Sequence, residues 1–174
     1  MIGMISGEGL RGRSPSRAKE VISLDLLSMI VKTTKFVVID SSVAVKWVSS
    51  QNESCVDLAN KIIQHAQEDK FHILMPELSK YEVANALVYK KLDIELLLIS
   101  LEDFYHLPIK FVHDNQKLAL KTAEIAVLNK ITYYDASFIA LAIEYKADLI
   151  TANPKHQSKY SSKDIKVISL EHFK

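Results

Sequence analysis

From residue 35 onward, the hydrophobic positions alternate between two patterns, one typical of buried strands and one typical of helices. An unbroken apolar run predicts a strand at 36–39, and short, mainly apolar segments predict strands at 72–75, 109–112, 149–151 and 166–170. Apolar residues at three- to four-residue spacing predict helices at 56–66, 76–91, 93–106, 114–130 and 132–145. Strands that alternate with helices form βαβ units. The pattern therefore predicts an α/β fold, a three-layer α/β/α sandwich around a central, mainly parallel sheet.

Residues typical of helix N-termini predict where four of the helices begin. Ser54 is a candidate N-cap for the first, and Pro76 suits the first turn of the second. Asp114 is the candidate cap of the helix that follows the third strand. Thr132 and Asp135 are three residues apart and fit a capping box at the last helix.

The predicted helix at 93–106 is unusually apolar. Hydrophobic residues occur nearly all round it, at Leu96, Leu97, Leu98, Ile99 and Leu101. A helix with this pattern is usually buried on more than one side. We therefore expect it to contact a partner protein or a second subunit.

The four glycines all lie within the first twelve residues. The segment 7–12 matches the G-x-G-x-x-G pattern of dinucleotide-binding folds, which has meaning only between a strand and the start of a helix. Residues 1–5 are a poor strand, and Pro15 delays any helix beyond the third glycine. The context therefore argues against a nucleotide-binding oxidoreductase.

We interpret residues 1–34 as an N-terminal extension outside the functional domain, which spans 35–174. The basic segment followed by the apolar stretch 21–31 resembles a targeting signal, but Asp25 interrupts it and no small-residue cleavage site follows. The stretch is also too short to span a bilayer. The extension is either weakly ordered or upstream of a start at Met29.

Composition narrows the possible functions. The chain has 174 residues, 48% of them apolar, which suffices for one domain with a substantial core. A single cysteine, Cys55, excludes a disulfide framework and favours a reducing, cytoplasmic location. The net charge is only +1, so RNA or DNA would have to be held by local basic residues or by metal ions.

Three carboxylates and one amide are predicted to meet at one edge of the sheet. Asp40 ends the first strand, Glu82 and Asp135 lie on helices, and Asn153 follows the strand at 149–151. Reactive groups in open α/β sheets lie beyond the carboxyl ends of the strands. Oxygen ligands without histidine or cysteine select Mg²⁺ or Mn²⁺, which suit phosphoryl chemistry.

Each of these four residues also has a purely structural explanation. Asp40 and Asp135 would cap helices, Glu82 would be a solvated helix carboxylate, and Asn153 would be a turn residue before proline. A phosphatase with Asp40 as nucleophile would need a second acid two residues later, where Ser42 stands. Only the predicted convergence of the four residues favours a metal site.

Four segments resemble motifs of the PIN-domain nucleases, and in particular of the VapC toxins of prokaryotic toxin–antitoxin pairs. These segments are 38–47, 76–87, 132–142 and 147–153, and the resemblance spans about 36–170. The third segment, Thr132 to Ala142, is the most specific match. The resemblance implies a PIN-like domain that hydrolyses RNA with a metal-activated water.

The resemblance also implies roles for single residues and for partners. Asp40, Glu82 and Asp135 match the metal ligands of the family, and Ser42 and Thr151 match supporting hydroxyl positions. It further implies a homodimer and a small antitoxin protein that blocks the active site.

One position departs from the family pattern. Asn153 stands where the family usually has another aspartate. An amide oxygen can ligate a metal ion, but the missing charge should weaken a second ion. The alternative is therefore a PIN-like module that binds RNA or protein without efficient catalysis.

Candidate substrate contacts lie beside the predicted site. The lysines that could hold phosphates are Lys46, Lys155, Lys159 and Lys163. Tyr134 and Trp47 could stack on an unpaired base, although Trp47 fits core packing equally well.

Overall fold

The structure is a computed structural model of the chain, and it describes residues 35–157, 160 and 165–174. The predictions made for residues 1–34, Lys159 and Lys163 lie outside these described residues.

A parallel sheet forms the centre of the described part of the chain. Its strands are β1 (Phe36–Ile39), β2 (His72–Pro76), β3 (Ile109–Val112), β4 (Asp148–Thr151) and β5 (Val167–Ser169). They are arranged in the order β3-β2-β1-β4-β5, and each neighbouring pair is parallel. The carboxyl ends of all five strands therefore lie at one edge.

Helices connect the strands. They are α1 (Ser41–Val48), α2 (Val56–Gln67), α3 (Ser79–Tyr89), α4 (Ile94–His106), α5 (Gln116–Asn129), α6 (Tyr133–Tyr145) and the four-residue α7 (Pro154–Gln157). A short 3₁₀ helix at Leu170–His172 follows β5.

The order of the strands places helices on both faces of the sheet. The chain moves outward from β1 to β2 to β3 and then returns to place β4 on the other side of β1. Because such crossovers are right-handed, α1–α4 cover one face and α5–α6 cover the other. The predicted three-layer α/β/α fold is confirmed, and the sheet is parallel throughout.

Burial on both faces explains why the three central strands β2, β1 and β4 are mainly apolar. Val38, Ile39, Leu74 and Leu149 are 0% exposed. Parallel strands covered by helices on both faces have no polar side to display. β1 lies between β2 and β4, so the residue that follows β1 emerges near the middle of the sheet edge.

Three predicted helix starts are wrong. Pro76 ends β2 opposite Val112, and α3 begins only at Ser79, because a proline without an N–H can still close a parallel strand. Asn115, rather than Asp114, caps α5 by accepting from the N–H of Leu118 at 3.1 Å.

The third wrong start concerns α2. Its N-cap is Cys55 in a left-handed conformation, with φ of 57°, and no side chain caps the helix. Ser54 is therefore not the cap.

Among the described residues, the expectation that the helix at 93–106 is buried on more than one side is not met. α4 buries one face, through Ser100 and Phe104. Ile94, Leu98 and Ile99 are 67%, 57% and 55% exposed. Separately, the described residues include no helix long and apolar enough to span a membrane.

Candidate active site

Asp40 occupies the carboxyl end of β1 and is the N-cap of α1. Its carboxylate Oδ1 accepts a 2.7 Å hydrogen bond from the N–H of Ser42, and its own N–H donates to the carbonyl of Ile150 on β4. The residue is 8% exposed. The predicted capping role and the predicted place at the sheet edge are therefore both real and do not exclude each other.

Glu82 lies in the first turn of α3 and meets α1 through a hydrogen bond. The Ser41 hydroxyl donates to Glu82 Oε2 at 2.7 Å. Burial raises the pKa of Glu82 above its usual 4.5, and the negative charges of Asp40 and Asp135 raise it further, while the Ser41 bond partly offsets the rise. Three carboxyl groups thus interact electrostatically, as the sequence predicted.

Asp135 is held by the predicted capping box at the start of α6. Its N–H donates to Thr132 Oγ1 at 3.0 Å, and the Thr132 hydroxyl donates back to Asp135 Oδ2 at 2.7 Å. The small residues Ala136 and Ala140 are buried directly behind it. The cap fixes the position of Asp135 at the same sheet edge as Asp40.

One pocket of about 220 Å³ contains all three carboxylates. It is lined by Asp40, Ser41, Ser42, Val45, Glu82, Ala86, Asp135 and Phe138. Each acid comes from the first turn or the N-cap of a different helix, where the helix dipole favours negative charge. The sheet topology therefore concentrates anionic oxygens at a cleft open to solvent.

The donor set of this pocket fits a hard divalent cation. Mg²⁺ keeps several water ligands and is commonly held by only one or two carboxylates. In the arrangement of side chains seen here, no three His, Cys, Asp or Glu groups of the described residues converge on a single point. One or two of the carboxylates of Asp40, Glu82 and Asp135 would hold such an ion directly.

The predicted supporting residues join α1 to the end of β4. Ser42 Oγ accepts from the N–H of Ala152 at 3.1 Å, and Thr151 Oγ1 accepts from the N–H of Asn153 at 3.0 Å. Thr151 is fully buried. Asn153 itself is exposed and does not line the pocket of the three carboxylates.

The candidate substrate contacts fall into two groups. Lys46 is 7% exposed, and its ammonium pairs with Glu53 at 2.6 Å. The predicted phosphate contact by Lys46 is therefore wrong. Trp47 donates from Nε1 to the carbonyl of Ala59 at 2.7 Å and packs against the core. Tyr134 and Lys155 are exposed and available to a ligand.

Ser41 was not predicted as a site residue. Its hydrogen bond with Glu82 joins residues 41 positions apart in the sequence, so no local pattern predicts it. The only sequence signal is its place directly after the strand-ending acid, at the first position of α1.

A larger cavity lies away from the carboxylates, between α5 and α6. It measures about 450 Å³, but its two acids are already paired with lysines. Glu144 lies 2.7 Å from Lys117, and Glu124 lies 3.0 Å from Lys121. Both of its acids are thus paired with lysines of the same chain.

Comparison with known proteins agrees with this geometry. Solved structures of similar fold include VapBC2 from Rickettsia felis bound to a DNA fragment from the promoter (14% identity, TM-score 0.60, 77% of this chain and 98% of that chain). PAE2754 from Pyrobaculum aerophilum is 20% identical, with a TM-score of 0.58 over 80% of this chain and 91% of that one.

A third similar structure is the sarcin-ricin loop cleaving toxin VapC20 from Mycobacterium tuberculosis (9% identity, TM-score 0.57, 73% of this chain and 97% of that chain). No curated protein sequence matches the chain. The family model of the PIN domain matches residues 37–161, which include Asp40, Glu82 and Asp135. The chain therefore belongs to the PIN-domain family.

Proposed function

We propose that this protein is a metal-dependent endoribonuclease, the VapC-type toxin of a toxin–antitoxin pair, acting in the cytoplasm. The observation that carries the proposal is the presence of Asp40, Glu82 and Asp135 in one pocket, where burial, together with the charges of Asp40 and Asp135, raises the pKa of Glu82. Acids that repel one another are stabilised by a shared cation. The fold likeness to a sarcin-ricin loop cleaving toxin supports RNA as the substrate.

In the proposed site, Asp40, Glu82 and Asp135 would hold Mg²⁺ or Mn²⁺. When bound, the ion supplies positive charge for the phosphate oxygens and makes an attacking water more acidic. The reaction is hydrolysis: a water oxygen bonds to phosphorus, and the bond from phosphorus to the leaving ribose oxygen breaks. Ser41 and Ser42 fix Glu82 and the β4 end around that point.

Substrate contacts would come from the exposed side chains beside the pocket. Tyr134 precedes Asp135 in the first turn of α6 and is 61% exposed, so an unpaired base can stack on it. Lys155 follows Asn153 and is exposed, so it can approach a phosphate. Neither contact distinguishes one RNA base from another.

The partners in this proposal are a second copy of the chain and a small antitoxin. Several of the solved structures with this fold are VapBC or FitAB complexes, some of them bound to DNA. The exposed Ile94, Leu98 and Ile99 of α4 are apolar side chains that a partner would cover.

The test of the proposed activity is cleavage of a labelled single-stranded RNA with Mg²⁺, Mn²⁺ or EDTA, free of antitoxin. Cleavage should require the metal and fall by at least 100-fold in Asp40→Asn. Asp148→Asn is the matched control, because Asp148 begins β4 at the opposite sheet edge. Metal-independent cleavage, or equal loss in both variants, would contradict the proposal.

The alternative function is an RNA- or protein-binding PIN module without efficient catalysis. It is favoured by Asn153, an amide that lies outside the carboxylate pocket. The Asn153→Asp variant separates the two functions. If the wild-type protein is inert and the variant cleaves RNA, the binding module is supported. Robust cleavage by the wild-type protein excludes it.

We also propose that residues 1–28 are dispensable for the activity. Deletion of residues 1–28 should then leave RNA cleavage within about twofold of the full chain. Loss of function on this deletion would instead favour a role for the glycine pattern at 7–12.

A further inference from the structure

Helices α1 and α3 begin side by side at the candidate active site. The Ser41 hydroxyl at the start of α1 donates to Glu82 in the first turn of α3 at 2.7 Å. This bond is the polar contact by which Glu82 is held next to Asp40. The position of the Glu82 carboxylate therefore depends on how α3 is set against α1.

At their other ends, both helices are tied to one carboxylate. Glu53, in the loop after α1, accepts from Lys46 Nζ at 2.6 Å and from Lys90 Nζ at 2.7 Å. Lys46 is in the last turn of α1, and Lys90 is the C-cap residue of α3. Lys90 also donates to the carbonyl of Gln51 at 2.7 Å.

This triad of Lys46, Glu53 and Lys90 differs from an ordinary surface ion pair. The side chains are 7%, 19% and 16% exposed, respectively. Burial works against the charge of Glu53, but the hydrogen bonds and charges of the two lysines outweigh it and hold its pKa below the usual value. Shielded pairs with several hydrogen bonds are screened far less by salt than exposed ones.

Between the Ser41–Glu82 bond at one end and the triad at the other, both helices bury apolar side chains in the core. Val43 of α1 and Val83 and Leu87 of α3 are 0% exposed. Apolar burial is not directional, so these side chains favour contact between the helices without fixing one rotation. The polar contacts at the two ends of the helix pair fix this rotation.

We propose that Glu53 is a positioning residue of the candidate active site: it draws Lys46 and Lys90 onto one carboxylate and thereby holds α3 in the rotation that keeps Glu82 beside Asp40. The proposal rests on the proposed metal-dependent ribonuclease for its catalytic consequence. It does not require Glu53 to touch substrate or metal. Glu53 acts on the site by setting the orientation of α3, which carries Glu82.

The test uses the full chain with Glu53→Gln, which keeps the size of the side chain and removes its charge. Mn²⁺ affinity should weaken by about tenfold or more, as for other residues that orient metal ligands. The kcat for RNA should fall by about 10- to 100-fold with KM nearly unchanged, because a displaced catalytic group affects chemistry more than substrate binding. Amide hydrogen exchange in residues 79–90 should accelerate.

Two controls separate positioning from general stability. Ile125→Ala removes a core side chain of α5, which carries none of the candidate ligands. It should lower Tm at least as much as Glu53→Gln, while Mn²⁺ affinity and kcat stay within about twofold of wild type. Lys90→Arg retains a cation and should preserve most of the activity that Lys90→Gln loses.

The readouts distinguish the two proposals. If Glu53→Gln lowers Tm but leaves Mn²⁺ affinity, kcat and exchange in 79–90 equal to those of Ile125→Ala, Glu53 is only structural and the inference is overturned. If wild-type protein neither binds Mn²⁺ nor cleaves RNA, the proposed function fails. In that case, amide hydrogen exchange in residues 79–90 is the remaining test of the role of Glu53. Faster exchange in Glu53→Gln supports the inference, and unchanged exchange overturns it.

Discussion

The hydroxyl of Ser41 donates a 2.7 Å hydrogen bond to Glu82, which joins the starts of two helices at the carboxyl edge of the sheet. Ser41 directly follows Asp40, so this bond ties Glu82 to the segment that carries a second carboxylate of the pocket. Because a hydroxyl donor favours the ionised carboxylate, the bond also counteracts the burial that raises the pKa of Glu82.

The Ser41→Ala variant should therefore alter the pH dependence of RNA cleavage. Without the donor, the pKa of Glu82 rises further, and the acidic limb of the kcat profile should move to higher pH. Ser100→Ala, buried in α4 away from the pocket, is the control and should leave the profile unchanged. An identical acidic limb in Ser41→Ala and wild type would contradict the role given to this bond.

Glu82→Gln should stabilise the metal-free protein at neutral pH. The folded pKa of Glu82 lies above its ordinary value of 4.5, so the folded state holds the proton more tightly than the unfolded state. Stability consequently falls as the pH rises from about 4.5 through the raised pKa, and a neutral glutamine avoids that loss. We expect a Tm increase of about 2–4 °C at pH 7, which for a chain of this size is roughly 1 kcal/mol.

The same substitution should have little effect near pH 4, where Glu82 is already protonated. Glu102→Gln, an exposed change on α4, serves as the control at both values of pH. Added Mg²⁺ should raise the Tm of wild type more than that of Glu82→Gln, because only wild type retains the full ligand charge. A lower Tm for Glu82→Gln at pH 7 would refute the electrostatic cost assigned to this site.

Tyr134→Ala should weaken RNA binding without affecting the fold. The ring is 61% exposed, so its loss removes little packing. Stacking of one base on an aromatic side chain contributes about 1–3 kcal/mol, which predicts a KM increase of about 5- to 150-fold. Tyr134→Phe keeps the ring and should behave as wild type. If both variants raise KM equally, the hydroxyl and not the ring carries the contact.

Loss of the Lys46 charge should affect mainly the stability of the fold, whereas loss of the Lys155 charge should affect mainly RNA binding. Lys46→Met removes a partner of the shielded Glu53 and should destabilise the fold by about 1–3 kcal/mol, while KM for RNA changes little. Lys155→Ala should leave stability unchanged, raise KM and reduce the salt dependence of RNA binding. Urea unfolding and binding titrations at two salt concentrations measure both effects.

The sequence predicted the parts of this molecule that depend on local patterns. The apolar run before Asp40 is a strand because both faces of β1 are covered, and the Thr132 capping box forms because its partners are three residues apart. The start of α3 was misplaced because proline suits both a first helical turn and the last position of a strand.

The contacts that were missed are those between distant segments. Lys46 resembled a phosphate ligand because nothing near it in sequence reveals Glu53 and Lys90 as its neighbours in the fold. Ser41 was overlooked for the same reason. The three acids match motifs of the family, whereas the polar contacts that orient them join segments distant in sequence and arise only from tertiary packing.

The proposed function requires Asp40, Glu82 and Asp135 to form one divalent-cation site. Anomalous diffraction from crystals of the metal-free protein soaked in Mn²⁺ would locate the ion. We expect a manganese peak within the pocket next to these carboxylates, and we expect the peak to disappear in Asp40→Asn. A pocket without a peak at saturating Mn²⁺, or a peak unchanged in Asp40→Asn, would show that the three acids do not bind the ion.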